Sequence, residues 1–128
     1  MFDIEGNILA RIRNDASVKA LIGTNKVFDA VQSSNVEPYI SLGPTSYDEE
    51  YADCIRGGEF MVQIDCWSTK TTRDEVRAMA GAVRKALRAD ITLTNNALVT
   101  LDHWRTDYLT DGTTRHASVR FTGVVEEA

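Results

Sequence analysis

The chain has 128 residues and a formal net charge of −5, and 43% of its residues are hydrophobic. This length suits one domain with a single core, here residues 1–128, and the composition excludes a disordered or fibrous protein. The negative charge argues against a protein that grips nucleic-acid phosphates, and no apolar run approaches the roughly 18 residues of a membrane span.

The first residues of the chain have the periodic apolar pattern of a helix. Asn14 or Asp15 is placed to cap a second, shorter helix that Gly23 ends. The start, Met1 to Glu5, has no basic region and no continuous apolar run, so we expect no secretory signal and a protein made and used in the cytoplasm. The first helix has one apolar stripe: Ile4, Ile8, Leu9 and Ile12.

Two short strands follow, at Lys26 to Val31 and at Tyr39 to Leu42. Between Pro44 and Gly58 the sequence becomes polar and acidic and loses its period, which indicates either an exposed loop or a long hairpin projecting from the body. Long irregular segments in a compact domain are usually functional or disordered. We interpret this segment as a contact arm whose candidate residues are Tyr47, Asp48, Glu49, Glu50 and Tyr51, with the two tyrosines as anchors.

Strict alternation from Phe60 to Trp67 predicts a strand with one apolar face. Thr71 and Asp74 resemble a capping box and open a long helix that runs to Leu87. The apolar stripe of this helix should pack on a sheet. Its arginines are expected to face solvent: Arg73, Arg77, Arg84 and Arg88.

Two long strands, Ala97 to Leu109 and Thr114 to Val125, close the chain. Asp111-Gly112 between them is a strong hairpin signal, because these residues accept positive backbone dihedrals. We therefore predict an α+β domain: an antiparallel sheet of about four to five strands with two main helices packed on one face.

The residues that could carry chemistry do not form a recognisable site. His103 and His116 lie on different strands of the last hairpin, but no cysteine or histidine pair has metal-finger spacing. Asp102, His103 and Asp107 lack a positioned nucleophile, since no serine lies in a nucleophile elbow. We expect no enzyme activity, no cofactor and no metal, and we expect Cys54 and Cys66 to be free thiols.

Large aromatic residues indicate a second candidate surface. If the apolar side of the Phe60 to Trp67 strand faces the helices, Trp67 lies on the opposite side of the sheet. Trp104 and Tyr108 are four residues apart, so in a regular strand they point to the same side. With standard pairing that side is the one that carries Trp67. Aromatics on an uncovered face usually mark a contact surface. The alternative is a bulge that reverses the side-chain direction and buries Trp104.

Three segments resemble one known family: Asp15 to Gly23, Pro38 to Gly43 and Arg115 to Phe121. The strand Val62 to Trp67 and the helix ending at Leu87 follow the same order. Together they resemble the bacteriophage tail completion or tail terminator proteins of long-tailed phages and prophages over nearly the whole chain.

The resemblance implies a structural protein of the virion. Such proteins form rings of six copies that end the tail tube and join it to the head connector, with DNA passing through the lumen without specific binding. The implied partners are further copies of the chain, the tail tube protein and a head completion or connector protein. Two alternatives stay open: a head completion or stopper protein at the connector, and a small adaptor dimer outside the virion.

Overall fold

Three helices lie on one face of a five-stranded sheet in the computed structural model, which describes residues 2–30, 36–52, 55–70, 72–88 and 96–127. The strands are arranged in the order β1-β2-β3-β5-β4. The helices are α1 (Phe2–Arg13), α2 (Ala16–Ile22) and α3 (Asp74–Ala86); the strands are β1 (Val27–Phe28), β2 (Tyr39–Ala52), β3 (Ile55–Ser68), β4 (Asn96–Asp111) and β5 (Thr114–Glu127).

The predicted α+β architecture is confirmed, with one difference of detail. The two main helices are α1 and α3, and the predicted shorter helix, α2, packs beside them. The sheet is not wholly antiparallel, since β1 pairs parallel to β2 through Val27 with Ile40 and Phe28 with Ser41. A parallel pair cannot be joined by a tight hairpin turn. The longer connection from Phe28 to Tyr39 permits it.

The helix ends follow the predicted signals in α2 but not in α3. Asp15 is the N-cap of α2, accepting a hydrogen bond from the Val18 backbone N–H at 3.1 Å, and Gly23 ends the helix with φ of 88°. In α3 the N-cap is Arg73, which makes no side-chain capping bond. Thr71 of the predicted capping box lies outside the described residues.

One apolar core lies between the helices and the inner face of the sheet. We call the sheet face toward the helices the inner face and the opposite one the outer face. Alternation along β3 places Phe60, Val62, Ile64 and Cys66 inward, as predicted. The largest fully buried side chains are Ile4, Ile8, Ile12, Val18, Ile40, Val62, Ile64, Met79, Val76, Val83, Val119 and Val125.

The acidic segment from Pro44 to Gly58 is a strand hairpin and not a loop. β2 and β3 pair in register from Thr45 with Val62 to Ala52 with Ile55, so the loop interpretation is wrong and the hairpin alternative is right. The hairpin does not project alone, because β5 pairs with β3 as far as Gly57. Neighbouring residues Asp48 and Glu49 are both exposed. Tyr47 still packs against the core, so the strand loses its buried face only toward the hairpin end, and there it has no need of alternating hydrophobicity.

Register shifts interrupt β2 and β4, the two strands that flank the central β3–β5 pair. The register shifts between Leu42 and Thr45 in β2, and between Leu98 and Thr100 and between His103 and Arg105 in β4. Such bulges bend a strand and re-aim its side chains, and they discourage uncontrolled pairing at an open edge. The shift after His103 decides where Trp104 points.

The described helices include none that is long and apolar enough to cross a membrane. Cys66 is a free and fully buried thiol, while Cys54 lies outside the described residues. Burial raises the pKa of the Cys66 thiol, and the neighbouring Asp65 carboxylate adds to the effect. We therefore expect Cys66 to be unreactive in the folded protein.

Two glycines provide a matched stability test. A Cβ at Gly123 would lie 2.3 Å from the Thr100 carbonyl oxygen and 2.5 Å from the Phe60 ring, whereas one at Gly81 in α3 would meet nothing within 4 Å. Gly123→Ala should lower the free energy of unfolding by about 1–3 kcal/mol through overpacking. Gly81→Ala should raise it by up to about 1 kcal/mol through helix propensity. Urea unfolding checks both, and effects of the same sign would contradict this packing.

Candidate assembly surfaces

A buried carboxylate organises the outer face of the sheet. Asp65 is 6% exposed, and its Oδ1 accepts hydrogen bonds from Gln63 Nε2 at 2.8 Å and Ser118 Oγ at 3.2 Å. His116 Nε2 lies 2.8 Å from the same oxygen. Burying a carboxylate is costly unless such partners satisfy it. The network is therefore a fixed part of the subunit.

Gly43 makes room for this carboxylate. A Cβ at position 43 would lie 2.5 Å from Asp65 Oδ2 and 3.1 Å from Gln63 Nε2. Gly43 also lies within the register shift between Leu42 and Thr45, where β2 departs from regular pairing with β3. The irregular stretch of β2 thus lets two polar side chains of β3 sit close to the backbone.

Ion pairs extend the network across β5 to β4. Arg120 donates from Nε to Gln63 Oε1 at 3.0 Å and from a terminal nitrogen to Asp107 Oδ2 at 3.0 Å. Arg105 Nε donates to Asp107 Oδ1 at 2.9 Å. Solvent reaches these groups, so each pair contributes about 1 kcal/mol or less. Their main effect is to fix the arrangement of side chains across three strands.

An aromatic stack flanks the network near the β4–β5 turn. The His116 and Trp67 rings are parallel within 5° with centroids 3.9 Å apart, and Trp67 also stacks on Tyr39 at 6.0 Å. Trp67 Nε1 donates to Ser41 Oγ at 3.0 Å. Trp67 therefore lies on the outer face as predicted, but it is half-buried and held by its own subunit.

Trp104 is the large aromatic that stays open to solvent. It is 56% exposed, and it lies at the register shift between His103, opposite the inward Phe121, and Arg105, opposite the outward Arg120. The Arg120 guanidinium lies over its ring at 5.9 Å from the centroid. The alternative in which a bulge buries Trp104 is wrong: a bulge is present, and Trp104 remains exposed on the outer face.

The same shift corrects the expectation for Tyr108. Tyr108 pairs with Ala117, which is fully buried, and its side chain packs against the core on the inner face. In a regular strand Tyr108 would point to the same side as Trp104 and would lie on the outer face. One extra residue in β4 changes this, because side-chain direction alternates strictly with residue number only in a regular strand.

A groove of about 430 Å³ runs along the outer face beside Trp104. Asp48 and Glu59 line its far side, with Ser46, Met61 and Thr122 between them and Trp104. Asp48 and Glu59 are directly opposite each other in the register of β2 and β3, and both are exposed. The groove therefore combines an exposed indole with two carboxylates.

The other predicted arm residues are placed differently. Tyr47 is opposite Phe60 and packs against the core, so it is not an outward anchor. Glu49 is exposed near the end of the described hairpin. Glu50 and Tyr51 belong to β2, and their side chains lie outside the described part of the structure.

The polar residues of the outer face do not have the geometry of a catalytic triad. Ser118 Oγ and Asp65 Oδ1 both approach the same His116 nitrogen, Nε2, at 3.4 and 2.8 Å. A triad needs the nucleophile on one ring nitrogen and the carboxylate on the other. His103 lies on the inner side of β4, opposite Phe121, and so is not near His116. Within the described residues no group of histidine, cysteine or acidic side chains could hold a metal ion.

A second groove, of about 210 Å³, lies where the end of α3 meets β4. Arg84, Arg88 and His103 line it. Arg84 is only partly exposed, contrary to its predicted solvent position, and its Nε is buried without a hydrogen-bond partner in the described part of the chain. Burial, with the positive charges of Arg84 and Arg88, lowers the pKa of His103 from its ordinary value.

The sequence also matches the model of a protein family described as tail completion protein gp17, over residues 6–126. The chain belongs to this family. It is a structural component of a phage-type virion.

Comparison with solved structures agrees with this assignment. The chain is similar to a chain of a structure titled "Virion of native gene transfer agent (GTA) particle", with a TM-score of 0.87 and 26% identity. The match covers 98% of this chain and 96% of the other. No curated protein sequence matches the chain.

Truncating the carboxylate should destabilise the subunit strongly. Asp65→Ala would remove the acceptor of the Ser118 hydroxyl and leave Gln63 Nε2 only its long hydrogen bond to Ser118 Oγ, at a cost of about 1–3 kcal/mol for each buried group left unsatisfied. Asp107→Ala, a matched control in a half-exposed ion pair, should cost about 1 kcal/mol or less. Thermal unfolding of both variants provides the measurement, and equal effects would contradict a central role for Asp65.

The surroundings of His103 can be tested by titration. Arg88→Gln removes one of the charges that disfavour the imidazolium, so the pKa of His103 should rise toward 6.5. Because the folded state favours neutral His103, its contribution to stability is present above pH 6.5 and lost as the pH falls through the folded pKa. NMR titration of the imidazole gives the shift. Arg73→Gln, at the other end of α3, should leave it unchanged.

Proposed function

We propose that this protein closes the head-proximal end of the tail tube as a six-membered ring, ends polymerisation of the tube and forms the joint to the head connector. The observation that carries the proposal is the family match over residues 6–126. The likeness to a chain of a virion particle supports it, since both chains are covered almost completely.

A ring follows from contacts between unlike surfaces. When each subunit offers one patch to one neighbour and a different patch to the other, rotation either closes a ring or continues as a filament. Closure uses up the lateral surfaces and leaves two ring faces, one for the tail tube protein and one for the head completion or connector protein. DNA then passes through the lumen, and a chain of net charge −5 does not retain its phosphates.

The outer face is the candidate lateral contact. Its polar network is satisfied within the subunit around Asp65, whereas Trp104 and the groove beside it are open. Interfaces are enriched in tryptophan and arginine, and an exposed indole over an arginine fits that pattern. The acidic end of the β2–β3 hairpin, with Asp48 and Glu49, extends this surface. The role is structural, and we assign the protein no catalytic activity and no cofactor.

The mass of the assembly tests the function. Light scattering of the purified protein, alone and with purified tail tube protein, should reveal a particle of about six times the subunit mass of 14.2 kDa, free or bound to the tube end. A stable monomer or dimer indifferent to the tube would contradict the proposal. Such a result would favour a head completion protein at the connector or an adaptor dimer.

Truncation of Trp104 separates assembly from folding. Trp104→Ala should leave a folded subunit, because the side chain is 56% exposed. It should weaken assembly by at least about tenfold if Trp104 is an interface anchor. Circular dichroism reports folding and light scattering reports assembly. Leu21→Ala, which truncates an exposed side chain of α2 on the other side of the sheet, serves as the control and should change neither. Unimpaired assembly of the Trp104 variant would remove it from the interface.

A further inference from the structure

Basic residues are concentrated on α3 and at its two ends. Residues 73–88 carry five basic and two acidic side chains, in a chain whose formal net charge is −5. At 3.6 residues per turn, Arg77 and Arg84 lie about two turns apart on one side of the helix. Arg73 and Arg88 continue the row at its two ends. We call these four residues the basic stripe.

Within the described part of the chain the basic stripe has no anionic partner. None of its arginines forms an ion pair with any described residue, and Arg84 Nε is buried without a hydrogen bond. The apolar side of α3 faces the sheet through Val76, Met79 and Val83. Arg73, Arg77 and Arg88 are exposed, whereas Arg84 lies partly buried against β4, so the stripe lies on the helix side of the sheet and not on its outer face.

The groove beside Trp104 has the opposite charge and lies on the opposite side of the sheet. We call this lining of Asp48, Glu59, Met61 and Trp104 the acidic groove. Asp48 and Glu59 are direct cross-strand neighbours, and like charges in that position destabilise a sheet. Neither carboxylate has a cationic partner among the described residues. Carboxylates next to an exposed indole suit a guanidinium, which can pair with the acids and lie over the ring.

We propose that the basic stripe of one copy docks into the acidic groove of the next copy, and that this is the lateral contact of the ring. The inference rests on the proposed function, because it names the two surfaces through which that ring would close. Charge complementarity selects a second copy as the occupant: each subunit carries one surface of each sign, on opposite sides of its sheet. A head-to-tail contact satisfies both at every interface.

Charge reversal on either surface should abolish assembly. The groove variant carries Asp48→Arg and Glu59→Arg; the stripe variant carries Arg77→Glu and Arg88→Glu. Each variant alone places like charges across every interface, so we expect ring formation to weaken by about hundredfold or more. Mass photometry with purified tail tubes measures the ring species, with the wild-type protein as reference.

Mixing the two variants gives the decisive result. In an equimolar mixture, the reversed groove of one variant faces the reversed stripe of the other, and the next interface pairs two unaltered surfaces. An alternating ring should therefore form with close to the wild-type yield, since a ring of six accommodates alternation. One chain carrying all four reversals should also recover assembly.

A matched control excludes a general effect of charge. Lys19→Glu with Lys26→Glu changes the net charge by the same amount as the stripe variant but lies outside α3, and this control should assemble normally. The proposed contact would be overturned if the groove variant or the stripe variant formed rings alone, or if the mixture failed to recover ring assembly. Neither result would overturn the proposed ring itself. Absence of any wild-type ring on tail tubes would instead overturn the proposed function.

The isolated subunit provides a second, independent measurement. Glu59→Gln relieves the repulsion with Asp48, so it should raise the midpoint of thermal unfolding while it weakens assembly. This opposite pair of effects is expected of a residue kept for binding rather than for stability. If the charge-reversed variants do not fold, this neutral variant decides the question. A rise in the midpoint with undiminished assembly would count against the contact.

Discussion

One-sided burial governs this fold. A sheet with 14-residue strands extends about 46 Å along its strands, whereas α3, with 13 residues, spans about 20 Å. The helices therefore cover the inner face only in part, and nothing in the described subunit covers the outer face. Where the inner face is covered, the strands supply apolar residues such as Ile64 and Val119. Everywhere else the chain must satisfy polar groups within the sheet or leave them for a partner.

On the outer face, polar groups that are satisfied within the subunit lie next to polar groups that are left for a partner. Around Asp65, hydrogen bonds and the stack of His116 on Trp67 satisfy the polar groups within one subunit. A few residues further along the strands, Trp104 is exposed and two carboxylates face each other without a cationic partner among the described residues. The satisfied part gives the surface a fixed shape. The unsatisfied part is where binding can recover free energy, which is how a pre-organised interface gains affinity at low entropic cost.

Much of the fold could be predicted from the sequence, because periodicity and end signals are local. The apolar stripes of α1 and α3, the Asp15 cap, the alternation of β3 and the turn at Asp111-Gly112 all have this origin. The acidic hairpin could not be recognised in this way, because Asp48 and Glu49 near its end are both exposed and leave the segment without a clear period. Tyr108 was misplaced because the shift after His103 has no sequence signal. The Asp65 network was missed since it joins residues about 50 positions apart in sequence, Asp65 with His116 and Ser118.

The central claim is that the outer face of the sheet becomes buried between copies at the end of the tail. A reconstruction of the head-proximal tail end by electron cryomicroscopy, at a resolution that shows side chains, tests this most directly. The account predicts a closed ring in which Trp104 of each copy is covered by α3 of its neighbour. A ring in which Trp104 remains exposed, or a tail end that holds a single copy of the protein, would contradict it.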